Sequence, residues 1–326
     1  MLGRDAIHAL FAPSESLEVL DPWTYHRQRS DLRVRVPWPE HPAGAWHLVT
    51  NSLGLREDHE VDPESGGPRI VVVGDSHTNG YCDNGESYPN VIEVDLRRRC
   101  GSPALDVVNA ANGGFGPYQM LGAVEKHAAL RPDLYVVALF AGNDFLDARN
   151  PKAWFEGREH EPGAPTEGEE IERAHDLSPA LTTQGLQTVL FARQRPHELA
   201  QLVTAVAGLV AEMRQAAERA DARLVVVVLP SALDVPGAVD PALLARVRER
   251  LALSDADLAA GARAGDALGR ELERIGIEAH DLRARLVASG HRCFWRADYH
   301  LDVDGHRVVA GALSELLGGC GWIRGR

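Results

Sequence analysis

The chain has 326 residues, of which 44% are hydrophobic and 25% charged, and its formal net charge is −13. This composition is typical of a globular protein, and the acidic balance gives no electrostatic reason for binding nucleic acid or an anionic membrane surface. No apolar run approaches the roughly 18 residues that a transmembrane helix needs, which excludes insertion into a membrane as the expected function.

The cysteines and the first residues bear on the cellular compartment. Cys82, Cys100, Cys293 and Cys320 are far apart and show no CxxC spacing. The sequence therefore predicts neither a disulfide framework nor a zinc knuckle. The segment 1–6 (MLGRDA) lacks the basic-then-apolar pattern of a signal peptide. Together these features predict a cytoplasmic protein.

The first 66 residues differ from the rest of the chain. They contain Trp23, Trp38 and Trp46, several prolines and no long helical period. The alternation over 32–36 (LRVRV) predicts a strand. We therefore predict a small β-rich extension over 1–66.

The boundary between the extension and the main domain is marked by turn residues. The segment 50–56 (TNSLGLR) predicts a turn between extended pieces, and 66–68 (GGP) is typical of a domain boundary. We therefore assign 67–326 to one α/β domain. Within it, 150–182 is rich in Glu, Gly and Pro, which predicts a surface insertion.

From residue 69 the pattern alternates between strand and helix. Alternating strands and helices imply a parallel sheet that is covered by helices on both faces. The predicted strands are 70–73, 105–108, 134–140, 224–229 and 277–281. The predicted helices are 88–99, 117–130, 199–220, 241–275 with a break around 261–265, and 303–317.

The most informative segment is 70–77 (IVVVGDSH). It is a continuous apolar run that is closed by a Gly-Asp turn, as in a buried strand. Ser76 therefore lies at the carboxyl end of a strand, the edge where open α/β sheets bind ligands. This position makes Ser76 a candidate nucleophile, although Gly-Asp-Ser is also ordinary turn chemistry.

Two further loops follow predicted strands. The loop 109–117 (NAANGGFGP) offers a backbone N–H that no side chain blocks, or is simply a flexible connection before a helix. The loop 141–144 (AGND) carries Asn143, whose amide can donate a hydrogen bond to a developing oxyanion. A strand-to-helix turn is the alternative reading of this second loop.

A histidine segment precedes the last helix. His300 stands two residues after Asp298, so that carboxylate can hold the ring while the ring accepts a proton from a serine hydroxyl. Asp304 and His306 repeat the spacing, but we expect them in the first turn of the helix, and we favour His300 as the base. Asp302 is predicted to be the N-cap of that helix.

In this order, the motifs over about 69–318 resemble the SGNH (GDSL-type) hydrolase superfamily. The resemblance implies a flavodoxin-like three-layer α/β/α sandwich with a five-stranded parallel sheet, to which the β-rich extension is added. It implies that Ser76 is the nucleophile, His300 the general base and Asp298 the residue that orients it. It also implies oxyanion donors from Ser76, Gly114 and Asn143, with Gly113 the neighbouring alternative to Gly114.

The sequence departs from the family pattern in the residue after the serine, His77, and in the Asp-x-His spacing, which replaces the commoner Asp-x-x-His. A subset of the family, in which His-Leu is followed by Gly-His, is similar to this chain, and 51–56 resembles a lead-in of that subset. We read that segment as part of an appendage near the catalytic face.

The resemblance implies a serine esterase that hydrolyses a small acyl ester, acetyl-like, of a carbohydrate or secondary metabolite. The alternatives are an acyltransferase that uses the same serine and a catalytically silent binding or scaffold protein. The cluster at 298–306 lacks metal-ligand spacing, so we predict no cofactor and no metal. The expected partner is the small-molecule ester alone, and the sequence does not indicate an oligomeric state.

Overall fold

Nine β-strands form three sheets in the computed structural model, which describes residues 17–149 and 165–323. Two antiparallel hairpins come first, β1 (Glu18–Asp21) with β2 (Tyr25–Gln28) and β3 (Arg33–Pro37) with β4 (Ala45–Val49). The other five strands form one parallel sheet and are β5 (Arg69–Val73), β6 (Asp106–Asn109), β7 (Leu134–Phe140), β8 (Arg223–Leu229) and β9 (Ala279–Asp281). Residues 1–16 of the predicted extension and 150–164 of the predicted insertion lie outside the described residues.

The helices alternate with the strands of the parallel sheet. In chain order they are α1 (Ser76–Asn79), α2 (Tyr88–Arg99), α3 (Pro117–His127), α4 (Asp144–Asp147), α5 (Pro165–Leu177), α6 (Pro179–Leu181), a π-helical turn (Thr182–Leu186), α7 (Gln187–Gln194), α8 (Pro196–Arg219), α9 (Pro241–Leu251), α10 (Asp255–Leu258), α11 (Ala260–Arg274), α12 (Arg283–Ala288) and α13 (Val303–Leu317). Short 3₁₀ turns occupy Asn84–Glu86, Ala128–Leu130 and Ala232–Asp234.

The order of the parallel strands is β6-β5-β7-β8-β9. This is the 2-1-3-4-5 order of flavodoxin-like sheets, in which ligands bind where the order reverses, between β5 and β7. Alternate residues of each strand face opposite layers. Ile70 and Val72 pack towards α2 and α13, whereas Val71 and Val73 pack towards α3, α8 and α11. The predicted three-layer α/β/α fold with a five-stranded parallel sheet is confirmed.

The helix predicted over 241–275 is broken twice, after Leu251 and at Ala259 between α10 and α11, and both breaks precede the predicted 261–265. The chain leaves the helix at Ala252, which has φ +50°, and Ser254 caps the next helix by accepting from Asp257 N–H. Gly261 and Gly265 lie inside the continuous helix α11. A Cβ at Gly261 would lie 3.2 Å from the Ala141 carbonyl oxygen, so this glycine allows close packing on the sheet and does not end the helix.

The described part of the predicted surface insertion, 165–182, is helical and contributes to the core. Ala174, Leu181 and Thr182 are completely buried, and the π-helical turn that follows buries Gln184. The sequence did not predict these core contacts, because the few buried side chains of this segment lie among many exposed polar ones. None of the helices among the described residues combines the length and apolar character that crossing a membrane requires.

The prediction about the cysteines is wrong for one pair. Cys100 and Cys320 form a disulfide, with their Cα atoms 5.7 Å apart. Cys100 caps the carboxyl end of α2, and Cys320 follows α13, the helix that packs beside α2. The two residues are 220 positions apart in sequence, so no local spacing could indicate the pairing. Cys82 and Cys293 are free and buried.

We expect alkylation of the unfolded protein, purified without reductant, to modify Cys82 and Cys293 only, and all four cysteines after reduction. Replacing Cys100 and Cys320 by serine should lower the free energy of unfolding by about 2–4 kcal/mol, because the cross-link restricts the unfolded chain. Intact mass and urea unfolding measure the two effects. Four alkylated cysteines before reduction would contradict the pairing.

Candidate active site

Ser76 lies at the reversal point of the sheet, directly after β5. A Cβ at Gly74 would lie 2.1 Å from Thr78 Oγ1, so only glycine lets the chain turn this sharply from strand into helix. Asp75 then caps α1, because its side chain accepts a hydrogen bond from His77 N–H at 2.9 Å. The turn places Ser76 as the first residue of α1, at the carboxyl edge of the sheet.

Three of the predicted residues form one hydrogen-bonded line. Ser76 Oγ lies 2.8 Å from His300 Nε2, and His300 Nδ1 lies 2.9 Å from Asp298 Oδ2. The other oxygen of Asp298 accepts from His300 N–H at 3.1 Å. The carboxylate thus holds both the ring and the backbone of the histidine. A serine hydroxyl, an imidazole and a carboxylate in this order can activate the hydroxyl for attack.

The short Asp-x-His spacing allows Asp298 to contact the His300 ring because of the backbone conformation of the residue between them, Tyr299. Tyr299 has φ +62°, a left-handed conformation that is uncommon for a residue with a side chain. This conformation turns the chain tightly enough for Asp298 to reach the ring two residues later. Asp302 caps α13 by accepting from Gly305 N–H at 2.8 Å, as predicted.

His306 lies away from Ser76. Its Nδ1 accepts a hydrogen bond from Tyr88 N–H at 3.2 Å, and its ring stacks on the Tyr88 ring. It is completely buried in the first turn of α13. The geometry therefore favours His300 over His306 as the partner of Ser76.

The three predicted oxyanion donors are free of other partners. Among the described residues, neither Ser76 N–H nor Gly114 N–H donates a hydrogen bond, and the amide nitrogen of Asn143, the donor that this role needs, makes none either. The buried Oδ1 of Asn143, an acceptor, is also without a partner among them. Gly114 has φ +73°, which favours glycine at this position. The loops of Ser76 and Gly114 are joined, since Asn112 N–H donates to the Gly74 carbonyl oxygen at 3.3 Å.

His77 and Gln184 add a second line of hydrogen bonds that ends at His300. His77 Nε2 lies 2.9 Å from Gln184 Oε1, and Gln184 Nε2 lies 3.4 Å from His300 Nε2. The His77 ring stacks on Phe140, with centroids 3.8 Å apart. Burial first, and then the charge of His300, lowers the pKa of His77 well below its ordinary value, so His77 is neutral. Sequence reasoning missed Gln184, because it lies just after the predicted insertion with no motif around it.

Buried carboxyl groups lie beneath the serine turn. Burial raises the pKa of Asp75 to about 6, although the charge of His300 opposes this shift. Burial, and then the charge of Asp75, raises the pKa of Asp144 well above its ordinary value. One oxygen of Asp144 accepts from Phe140 N–H at 2.7 Å. Burial and the nearby Asp75 carboxylate thus both oppose a second negative charge beneath the site.

The N-terminal extension reaches the site through an aromatic side chain. The Tyr81 ring stacks on His300, with centroids 4.2 Å apart, and Trp46 of β4 stacks on the Tyr81 ring, with centroids 5.7 Å apart. Trp38 and Trp295 complete the cluster edge-on. Trp46 and Trp295 are only 5% exposed, so these indoles are packed inside the protein and do not form an open platform.

Two side-chain clusters among the described residues have the composition of a metal-binding site. They are His41 with Asp83 and Glu86, and His59 with Glu93 and Asp106. In each cluster the imidazole is already within hydrogen-bond distance of a carboxylate. Neither cluster includes Ser76 or His300.

A model of the GDSL-like lipase/acylhydrolase family matches residues 72–308. The match includes every predicted site residue, from Ser76 to His300. No curated protein sequence matches the chain.

Several solved structures are similar to this chain. An α/β-hydrolase enzyme from the metagenome of Lake Arreo, Spain, has 18% identity and a TM-score of 0.42, covering 78% of this chain and 96% of its own. A carbohydrate acetylesterase from Sinorhizobium meliloti has 11% identity and a TM-score of 0.42, covering 78% and 99%. An extracellular lipase from Streptomyces rimosus has 15% identity and a TM-score of 0.42, covering 76% and 99%.

The buried His306 predicts acid sensitivity. Burial lowers its pKa from 6.5 to about 3, so the folded state binds fewer protons than the unfolded state between these values. The free energy of unfolding therefore decreases as the pH falls below 6.5. His306 alone should account for a decrease of about 2 kcal/mol at pH 5. His306→Asn, which can still accept from Tyr88 N–H, should show a shallower loss between pH 7.5 and 5 in urea unfolding. Equal losses in both proteins would contradict this assignment.

Proposed function

The chain belongs to the GDSL-like lipase/acylhydrolase family and is a carboxylic ester hydrolase, and from this premise we propose that it works through a Ser76–His300–Asp298 triad and an acyl-enzyme. The observation that carries the proposal is the continuous hydrogen-bonded line from Ser76 Oγ through the His300 ring to Asp298. A silent scaffold has no need of a serine–imidazole–carboxylate line of this kind.

The proposed reaction begins at Ser76. Its Oγ attacks the ester carbonyl carbon while His300 Nε2 takes the hydroxyl proton. Asp298 accepts from Nδ1–H, so it keeps that proton on Nδ1 and stabilises the imidazolium. The imidazolium then gives its Nε2 proton to the leaving alkoxide, and the acyl group stays on Ser76. A water molecule, activated by His300, releases the acid and restores the serine.

The tetrahedral oxyanion is held by the Ser76 and Gly114 N–H groups and by the Asn143 amide. The support for this role is that none of the three has another partner among the described residues. Donors that are already oriented cost no rearrangement when the charge develops, and this is the main source of acceleration in such sites.

We propose a small, neutral acyl ester of a polar alcohol, such as an acetylated carbohydrate or secondary metabolite. The Gln184 amide lies beside His300 Nε2, where the leaving oxygen receives its proton, and it offers a hydrogen bond to a hydroxyl-rich alcohol. The net charge of −13 disfavours anionic substrates.

The cytoplasmic location stays a prediction. The Cys100–Cys320 disulfide counts against it, because disulfides persist in oxidising compartments and are rare in the cytosol.

Ser76→Ala should abolish hydrolysis of p-nitrophenyl acetate and butyrate, and should abolish the single adduct that a fluorophosphonate forms with the wild type. Ser231→Ala is the matched control, because this serine lies on the loop after β8 and, among the described residues, hydrogen-bonds only Asp234. Turnover and intact mass measure both effects. A wild-type adduct without turnover would indicate an acyltransferase or a narrow substrate. Activity retained in Ser76→Ala would refute the triad.

Asn143→Ala should lower kcat by about 10²–10³, since one oxyanion donor is removed. The fold should persist, because the described structure gives this side chain no hydrogen bond to lose. Steady-state kinetics and thermal unfolding test the two parts. A rate near that of the wild type would remove Asn143 from the mechanism.

A further inference from the structure

The hairpin β1–β2 contacts the glycine loop through one imidazole. His26 Nε2 lies 3.0 Å from the Gly113 carbonyl oxygen, and the ring packs edge-on against Phe115, with centroids 5.4 Å apart. A carbonyl oxygen only accepts, so His26 must carry its hydrogen on Nε2 and donate it. The imidazole thus contacts the residues on both sides of Gly114.

This hydrogen bond sets the direction of a peptide that belongs to the proposed site. The Gly113 carbonyl and the Gly114 N–H are parts of the same planar trans peptide, so they point in opposite directions. Fixing the carbonyl on His26 therefore aims the N–H of Gly114 away from the hairpin. The constraint matters here because two successive glycines, one at φ +73°, leave this peptide free to rotate. A donor on the carbonyl also polarises the N–H of that peptide.

His26 is itself held in place by the docking of the hairpin on α3. Lys126 Nζ of α3 lies 2.6 Å from Asp21 Oδ2. The backbone of Trp23 lies so close to α3 that a Cβ at Gly122 would be 2.0 Å from its carbonyl oxygen. The helix that begins directly after the glycine loop therefore also anchors the hairpin that carries His26.

We propose that His26 is a positioning residue for the oxyanion hole: by donating to the Gly113 carbonyl it keeps the Gly114 N–H turned towards the reacting carbonyl. The inference rests on the proposed function. Under this inference the N-terminal extension contributes a residue to the site, because no residue of the α/β domain makes this hydrogen bond to Gly113 in the described structure.

The test compares His26→Phe, which keeps a ring against Phe115 without the donor, with His26→Gln, whose amide nitrogen can replace Nε2. His47→Phe is the control, because His47 lies in the same extension, is 56% exposed and hydrogen-bonds Asp83. For each variant we would measure kcat and KM with p-nitrophenyl acetate, the rate of labelling by a fluorophosphonate, and thermal unfolding.

We expect His26→Phe to lower kcat and the labelling rate about tenfold, the size of one lost hydrogen bond, with KM near that of the wild type. His26→Gln should recover most of the rate, and His47→Phe should lose none. Equal losses in the Phe and Gln variants, or no loss in either, would overturn the inference while the triad stands. A wild type with neither turnover nor adduct would instead refute the proposed function and this inference with it.

Discussion

The site depends on a buried guanidinium group. Arg56 is completely buried, and it donates to the carbonyl oxygens of Asn79, Gly80 and Cys82 and to Asn84 Oδ1 at 2.9 Å. A buried charge is tolerated only when such partners surround it, so the loop after α1 must close around this side chain. That closure presents Tyr81 to the His300 ring. The contact between base and serine is therefore supported by a residue outside the parallel sheet.

The N-terminal extension contacts the loops that form the site. A boundary near residue 66 remains a prediction, yet the extension is not an independent appendage. Arg56 holds the loop after α1, Gln28 Nε2 donates to Asn79 Oδ1 at 3.2 Å, and Trp46 backs the aromatic stack on the base. Asn79 Nδ2 also donates to the Ala111 carbonyl oxygen at 2.9 Å, which links this loop to the glycine loop. Removing the extension would leave a buried surface and several polar groups without partners, so the α/β domain alone is not expected to keep this geometry.

The sequence predicts the parts of the fold and site that follow from local rules. Buried strands read as apolar runs, and parallel strands bring their carboxyl ends to one edge, so Ser76 and Asn143 could be placed near each other without a structure. The start of α13 followed from its cap, Asp302. Contacts between distant segments have no such local signal. Gln184 meets His300 across 116 residues of sequence, and Cys100 meets Cys320 across 220. The glycines of α11 misled the prediction because close packing and chain breaks favour the same residue type.

The hydrogen bonds around His300 define which of its two ring nitrogens carries the hydrogen. Asp298 can only accept when it is ionised, so the ring proton lies on Nδ1 and the Nε2 lone pair faces two donors, the Ser76 hydroxyl and the Gln184 amide. The amide is oriented by His77, whose Nε2–H donates to Gln184 Oε1. When His300 takes the serine proton in the proposed reaction, its new N–H faces the Gln184 N–H and loses that hydrogen bond. The new N–H therefore has no acceptor on the Gln184 side and is available to the oxygen of the leaving group.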